Sequence, residues 1–192
     1  GRSVVCVDRN GDGKYGIYVA NYGGPTRFYE LINRNIVDQA PFLKINRITG
    51  GRAVIAGHIL SNYMDIFAAN ERGPNFLYVN ENGTFKDVAE SLGVEDTFEN
   101  GRGTTLTDFL YRGKLDIVSG NWNGEHRIFL NEENKFADVA TGTAKVEFSD
   151  VSSQAKDMIE TIDNACNTDR TSRRNSQTET LKLLTSDMAV ET

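Results

Sequence analysis

The sequence predicts an all-β fold, and three observations carry that prediction. Short β-branched and apolar runs of strand length recur through about the first 150 of the 192 residues. Turn-forming Asn, Asp and Gly separate the runs. The pattern repeats with a period of about fifty residues, with four strands in each repeat. Such a repeat is typical of a β-propeller blade, so we predict a β-propeller fragment of about three four-stranded blades, followed by a poorly structured C-terminal tail.

The internal repeat sets the domain boundaries. A Gly-Arg pair opens each unit, and a strand ending in asparagine follows at a matching distance once the second unit is allowed one residue fewer. The pairs stand at residues 1–2, 51–52 and 101–102, and the asparagines are Asn21, Asn70 and Asn121. We therefore assign one propeller blade each to residues 1–50, 51–100 and 101–153. Residues 154–192 form a polar tail, expected to be disordered or to contain short helices.

The third and fourth strands are clearest in the second and third units. Residues 75–80 and 84–89 flank an Asn-Gly dipeptide at 82–83, which favours the tight turn of a hairpin. Residues 126–131 and 135–140 repeat this arrangement in the third unit. Each of these pairs is therefore predicted to form the outer hairpin of a blade.

The first unit is less regular. Its strands are predicted at residues 4–7, 17–20, 27–31 and 42–45. Residues 32–41 are interpreted as an irregular connection between the last two strands. Because propellers place such insertions on one face, this connection is a candidate contact surface.

A candidate metal loop lies between the first two strands. Asp8, Asn10 and Asp12 place oxygen side chains at every second residue, and Gly13 follows where a sharp turn is needed. Calcium takes several oxygen ligands, and one short loop of this kind can gather them. We predict Ca²⁺ as the cofactor, with Asp8, Asn10 and Asp12 as side-chain ligands and the main-chain carbonyl of Lys14 as a fourth. The alternative is an ordinary Asn/Asp/Gly turn that holds no metal.

The loop differs from an EF-hand in its flanks and its length. An EF-hand has a bidentate glutamate at position twelve, where this chain has Val19, and it lies between helices rather than strand-length apolar runs. The ninth position, where a carboxylate would complete the loop, is Gly16. Water would fill that place, so the expected calcium affinity is reduced.

The equivalent hairpins of the other two units have lost more of the pattern. The second keeps only Asp65 at a ligand position. The third has Arg112 where an oxygen ligand is expected, and a guanidinium beside a cation is unfavourable. We expect no calcium there, and Asp116 is expected to pair with Arg112 or Lys114. The sequence therefore predicts one calcium site among three hairpins.

Several dispersed motifs resemble the FG-GAP or VCBS repeats of the integrin α-subunit propeller. They are Asp-x-Asn-x-Asp-Gly at residues 8–13, Asn-Phe-Leu-Tyr-x-Asn at 75–80 and Gly-Thr-Phe-x-Asp-Val-Ala at 83–89. A closer resemblance is to the cartilage acidic protein family. It is carried by Cys-Val-Asp-Arg at residues 6–9, Gly-Pro-Asn-Phe-Leu at 73–77 and Gly-Asn-Trp-Asn-Gly at 120–124. Together these motifs cover about residues 1–153.

The resemblance implies a secreted protein of the extracellular matrix or cell surface. It implies a propeller that binds calcium in the hairpins between first and second strands. The implied partners are an extracellular or cell-surface protein and the remaining propeller blades of a parent chain. In such a location the sequon at residues 82–84 is a candidate glycosylation site.

Composition excludes some classes of partner. The net charge is −6, which repels phosphate backbones and argues against nucleic acid. The sequence has no apolar run long enough for membrane insertion or a signal peptide, and it begins at Gly1, so we expect a piece of a longer precursor. Cys6 lies within an apolar strand and is expected to be a buried thiol. Whether it pairs with Cys166 is left open.

The leading functional hypothesis is a non-catalytic extracellular interaction module. The two histidines, His58 and His126, stand at non-equivalent positions without further ligands, so zinc is not expected. Trp122 is expected to pack in the core or between blades, with a contact role on a loop as the alternative. A propeller-based hydrolase or lyase fragment is the rival from another class, but the predicted first strands carry no acidic residue. A degenerate structural fragment without independent activity is the third possibility.

Overall fold

The computed structural model describes residues 1–132 and 135–140, so the predicted tail and the end of the third repeat lie outside the described residues. Within those residues the chain forms thirteen strands and one four-residue helix. The strands form three antiparallel sheets. The prediction of an all-β, propeller-like fragment is confirmed. The single described helix is too short to cross a membrane.

The first sheet contains β1 (Ser3–Val7), β2 (Gly16–Ala20), β4 (Arg27–Ile32) and β5 (Asn35–Asp38), in that spatial order. The second contains β6 (Ile48–Gly57), β7 (Asp65–Asn70), β8 (Phe76–Glu81) and β9 (Thr84–Asp87). A short strand, β3 (Tyr22–Pro25), pairs with the β6 edge of this sheet. The helix α1 (Ala89–Leu92) follows β9. The third sheet contains β10 (Gly101–Thr107), β11 (Asp116–Asn121), β12 (Arg127–Glu132) and β13 (Lys135–Asp138).

Two apolar interfaces hold the three sheets together. The first and second sheets share a core that includes Tyr18, Phe28 and Tyr78. The second and third share one that includes Phe67 and Phe129. The second sheet lies between the other two, and accordingly every residue of β7 is buried. Alternate residues of its strands therefore serve different interfaces, as blade packing requires.

The predicted fourth strand of the first unit was wrong. Residues 42–44 form a turn and Ile45 has irregular backbone, while β5 begins at Asn35, inside the stretch predicted to be irregular. The reason is Asp38, whose Oδ1 accepts the amides of Phe28 and Ala40, each at 3.1 Å. Asp87 and Asp138 accept the equivalent amides in the other sheets. This aspartate ends the fourth strand in all three sheets.

Two side chains predicted to be buried are exposed. Cys6 is exposed because β1 turns Val5 and Val7 toward the second sheet and the alternate residues away from it. Trp122 follows β11 and is 56% exposed, so the prediction that it packs in the core or between blades was wrong. Cys166 lies outside the described residues, and so does any pairing with it.

The first interface buries the phenol rings of Tyr18 and Tyr78, with centroids 6.4 Å apart. Burial raises the pKa of Tyr18 to about 12 and that of Tyr78 further in the same direction. Because the folded pKa of Tyr18 lies above the unfolded value of about 10, its contribution to stability is complete below pH 10 and is lost as the pH rises through 12. We expect the free energy of unfolding in urea to fall by about 2 kcal/mol less for Tyr18→Phe than for wild type between pH 9 and 12. Identical falls in both proteins would contradict this assignment.

Candidate functional site

The candidate metal loop connects β1 to β2, which pair through Val7 and Gly16. The Asp8 carboxylate lies inside the loop and organises it. Its Oδ1 accepts the backbone amides of Gly11 at 2.8 Å and Asp12 at 3.2 Å, and its Oδ2 accepts that of Gly13 at 2.8 Å. Gly11 and Gly13 have φ values of 70° and 79°, in the left-handed region that glycine adopts without steric cost. The chain therefore wraps around one carboxylate.

The other predicted ligands lie on the exposed side of the same loop. Oδ1 of Asp12 accepts the amide of Lys14, and its Oδ2 pairs with the Lys14 ammonium, each at 3.0 Å. The Lys14 backbone amide, followed by the ammonium, holds the pKa of Asp12 below its usual range. Oδ1 of Asn10 lies beside the second sheet, since a methyl group placed on Gly83 would be 2.6 Å from it. The structure thus brings Asp8 and Asp12 into one short loop and directs Asn10 toward the neighbouring turn.

The donor set has the chemistry of a partial calcium cage, but Asn10 is directed toward the neighbouring turn and Asp12 is paired with Lys14. A carboxylate has about four lone-pair positions, and Asp8 uses three on backbone amides, so it retains acceptor capacity. With Asp12, the Asn10 amide and the Lys14 carbonyl, the loop offers four ligand groups of the six to eight oxygens that calcium takes. Water would supply the remainder, and the Lys14 ammonium would have to leave Asp12. No group of three His, Cys, Asp or Glu side chains with metal-binding geometry occurs within the described part of the chain.

The second hairpin is closed by a carboxylate at the opposite end of its loop. Asp65 is fully buried, and its Oδ2 accepts the amides of Ile59, Leu60 and Ser61 at 2.7–3.1 Å. Its Oδ1 accepts the Asn80 amide and the Ser61 hydroxyl. The position that is Gly16 in the first hairpin is thus occupied here by a hydrogen-bonded carboxylate.

The third hairpin uses both positions. Asp108 accepts the amides of Arg112 and Gly113 at 2.8 and 2.7 Å. The buried Asp116 accepts the amides of Phe109 and Asn131, and it also pairs with the Arg112 guanidinium at 3.1 Å. This ion pair confirms one of the two partners predicted for Asp116. The guanidinium supplies the positive charge beside these carboxylates.

Two asparagines, whose role the sequence did not reveal, connect the first and second hairpins to the sheet that follows each of them. Asn80 donates from Nδ2 to the carbonyl of Arg9 in the first hairpin, and Asn131 donates in the same way to Ile59 in the second, both at 3.0 Å. The side chain of Arg9 adds a bidentate pair with Glu30 and a bond to a carbonyl of the second sheet. The candidate loop is therefore anchored on both sides.

A cleft of about 450 Å³ opens beside the first hairpin. Asp12, Lys14 and Tyr15 line one side, and Glu30 and Leu31 of β4 belong to the other. Since Asp12 is both a predicted ligand and a lining residue, an ion bound there would lie at the rim of the cleft.

Three stacked antiparallel sheets, two of four strands and one of five, with repeated hairpin contacts define the class as an all-β, propeller-like fragment. No protein-family model matches the chain. The chain is 46% identical over 160 residues to cartilage acidic protein 1 of Xenopus tropicalis, an alignment covering 73% of this chain and 25% of that protein. It is 45% identical over 168 residues to the mouse and human proteins of the same name, over 80% of this chain and 25% and 24% of theirs. The chain is thus homologous to cartilage acidic protein 1 and spans about a quarter of its length.

Proposed function

We propose that the chain is a non-catalytic segment of an extracellular matrix β-propeller of the FG-GAP or VCBS type. Its faces would bind another protein or a matrix component. Homology to cartilage acidic protein 1 supports the matrix location. The three inner strands β1, β6 and β10 contain no carboxylate, which favours a binding module over a propeller hydrolase or lyase.

The observation that carries this proposal is the outer face of the first sheet. Val4, Ile17 and Tyr29 are 64%, 43% and 36% exposed there. By strand register, Ile17 and Tyr29 correspond to Ile66 and Tyr78, which the second sheet buries against the first. The face is therefore equivalent to an inter-blade surface, and we propose that a further blade of a longer parent chain covers it.

We further propose that Ca²⁺ binds the first hairpin at Asp8, Asn10, Asp12 and the Lys14 carbonyl. Its role would be structural, since the ion would neutralise the two carboxylates and hold the exposed side of the loop. In support, Asp8 retains an acceptor position and Asp12 lies on the exposed side of the loop, whereas in the second hairpin the buried Asp65 already accepts five hydrogen bonds and in the third Arg112 supplies the positive charge.

Asp12→Asn tests the metal with little disturbance of the apo loop. The amide oxygen can still accept the Lys14 N–H, but a charged calcium ligand is lost. We expect a calorimetric calcium titration to give one site in wild type and at least about tenfold weaker binding in the variant. In chelator, wild type and Asp12→Asn should have the same melting temperature, because the Asp12 side chain is exposed.

Lys14→Gln is the matched counterpart, since it removes the competing ammonium and should tighten binding. If wild type shows neither heat of binding nor a calcium-dependent melting temperature, the loop is an ordinary turn and the metal proposal fails. The interaction-module proposal would then rest on the sheet surfaces alone.

A further inference from the structure

The end of the strand pairs opposite the hairpins also repeats in all three sheets. Asn21, Asn70 and Asn121 each donate from Nδ2 to the carbonyl four residues later, at 2.6 Å in every case. This shared turn places the next residue at the same position in each unit. Those residues are Tyr22, Glu71 and Trp122. Three chemically different side chains therefore occupy equivalent positions along one end of the stack.

The Gly-Arg pairs bring a guanidinium to each of these positions. A methyl group on Gly51 would lie 2.9 Å from the Asn21 carbonyl oxygen, and one on Gly101 would lie 2.9 Å from the Ala69 methyl. Glycine thus allows β6 and β10 to touch the sheet that precedes each of them. The arginine that follows this glycine lies beside the residue that comes after the repeated asparagine of the preceding sheet, so Arg52 contacts Tyr22 and Arg102 contacts Glu71.

The resulting contacts form a continuous row, which we call the arginine ladder. Arg2 and Arg52 lie over the Tyr22 ring, with Cζ 5.8 and 4.6 Å from its centroid. Arg52 and Arg102 both pair with the buried Glu71 carboxylate. Arg102 also lies 4.8 Å from the centroid of Trp122. In order, the ladder is Arg2, Tyr22, Arg52, Glu71, Arg102 and Trp122.

We propose that the arginine ladder binds an anionic polysaccharide. Three guanidiniums and one carboxylate leave two net positive charges on an otherwise acidic chain. Arg2 is exposed, and the Arg102 side chain is 39% exposed. Stacking on an aromatic ring fixes the plane of a guanidinium while its edge N–H groups remain available for bidentate bonds to sulfate or carboxylate. The cost of ordering these side chains on binding is thereby reduced.

Two features favour a polysaccharide over an acidic peptide. Tyr22 and Trp122 are 43% and 56% exposed beside the arginines, and aromatic rings offer apolar surface to the C–H faces of sugars. The guanidiniums also come from equivalent positions of successive repeats, and such a periodic row suits a polymer whose anionic groups are themselves periodic. Asp96 lies beside the Trp122 end of the ladder, where it accepts from Asn121, but Asp96, Glu99 and Glu125 all pair with Arg127. Repulsion by more distant carboxylates is screened beyond roughly 8 Å at physiological salt.

The ladder is separate from the candidate calcium loop. The five residues of β1 lie between them, a span of roughly 15 Å at the usual rise of a strand. The inference rests on the proposed function for its extracellular setting only. Binding measured in chelator therefore tests the ladder independently of the metal.

The probe is a size-defined heparin oligosaccharide, added to the full 192-residue chain in chelator. Trp122 is the only tryptophan, so its fluorescence reports directly from the ladder. The test variant is Arg2→Gln with Arg102→Gln, which leaves Arg52 paired with Glu71. The control is Arg34→Gln with Lys86→Gln, which removes the same charge from exposed positions on the outer hairpins.

In wild type we expect the heparin oligosaccharide to change the Trp122 fluorescence saturably. The ladder variant should bind the oligosaccharide at least about tenfold more weakly, and the affinity of the control should change by no more than about twofold. Circular dichroism and melting temperature should show that both variants fold. Equal weakening in both would overturn the proposal, because it would indicate general charge attraction. Absence of binding to wild type would also overturn it. Poly-L-glutamate binding as tightly as heparin would reassign the ladder to acidic peptides.

Discussion

Asp65→Ala is expected to lower the free energy of unfolding by about 4 kcal/mol, the largest effect of any polar substitution proposed for this chain. The carboxylate is fully buried and accepts four backbone amides and one hydroxyl. Alanine leaves those donors without an acceptor in a place that water cannot readily enter. Urea denaturation at neutral pH would measure the loss.

The loss in the free energy of unfolding should be larger than disruption of one hairpin alone would cause, because Asp65 connects three parts of the fold. It holds the loop after β6, the start of β7 and the Asn80 amide in β8. Asn80 in turn holds the first hairpin through the Arg9 carbonyl. Loss of the carboxylate therefore weakens the contact between the first two sheets.

Two further variants calibrate the result. Asp65→Asn keeps the side-chain shape and one acceptor oxygen, so its cost should be intermediate. Asp12→Ala in chelator removes an exposed carboxylate paired with Lys14 and should leave the free energy of unfolding nearly unchanged. A cost for Asp65→Ala within 1 kcal/mol of the Asp12→Ala value would show that the buried acceptor is not what closes the hairpin.

The sequence predicted the sheets because the repeat is strong where strands pair locally. Residues 75–80 and 84–89 were recognised from the internal repeat and an Asn-Gly turn; they cover most of β8 and all of β9, and the second range extends two residues beyond β9. The same reasoning failed at 42–45, where Leu43 and Ile45 are buried but belong to a turn and the irregular backbone after it. The spacing of apolar residues indicates which side chains face the core. It does not show whether those side chains belong to a strand or to a turn.

The missed elements depend on contacts distant in sequence. The strand β3 contains two glycines and a proline, and it forms because β6 offers an edge, about 25 residues later. The true fourth strand, β5, had a usable signal in Asp38 and Ala40, which repeat the Asp-x-Ala spacing of residues 87–89 and 138–140. That signal was weaker than the neighbouring apolar run.

The candidate site was predicted in part. Asp8 and Asp12 were identified from local spacing, and the structure places both in one loop. Calcium occupancy remains a prediction. The hydrogen bonds that Asn80 and Asn131 donate to the hairpins join residues 71 and 72 positions apart, so local spacing could not reveal them. The Gly-Arg repeat was recognised, but the contacts that join one repeat to the next, Arg52 with Tyr22 and Arg102 with Glu71, required the fold.

Gly50→Ala is the second large effect that we expect, at about 3 kcal/mol of lost stability. Gly50 lies in β6 and pairs with Tyr22 of β3, and its carbonyl accepts the Glu71 amide at 2.8 Å. A methyl group on it would lie 1.8 Å from the Glu71 carbonyl oxygen. That atom belongs to the backbone, so no side-chain rotation can relieve the clash.

The displaced group matters beyond stability, because Glu71 holds Arg52 and Arg102 in the arginine ladder. Gly103→Ala is the matched control, since Gly103 lies in β10 with open space around its Cβ position and a φ that L-residues adopt. It should change the stability by less than about 1 kcal/mol. Thermal and urea unfolding of the two variants would compare them directly. If Gly50→Ala and Gly103→Ala were equally stable, the backbone where β3 meets β6 would be able to move aside without loss of stability. A junction that moves so easily could not hold the arginine ladder rigid.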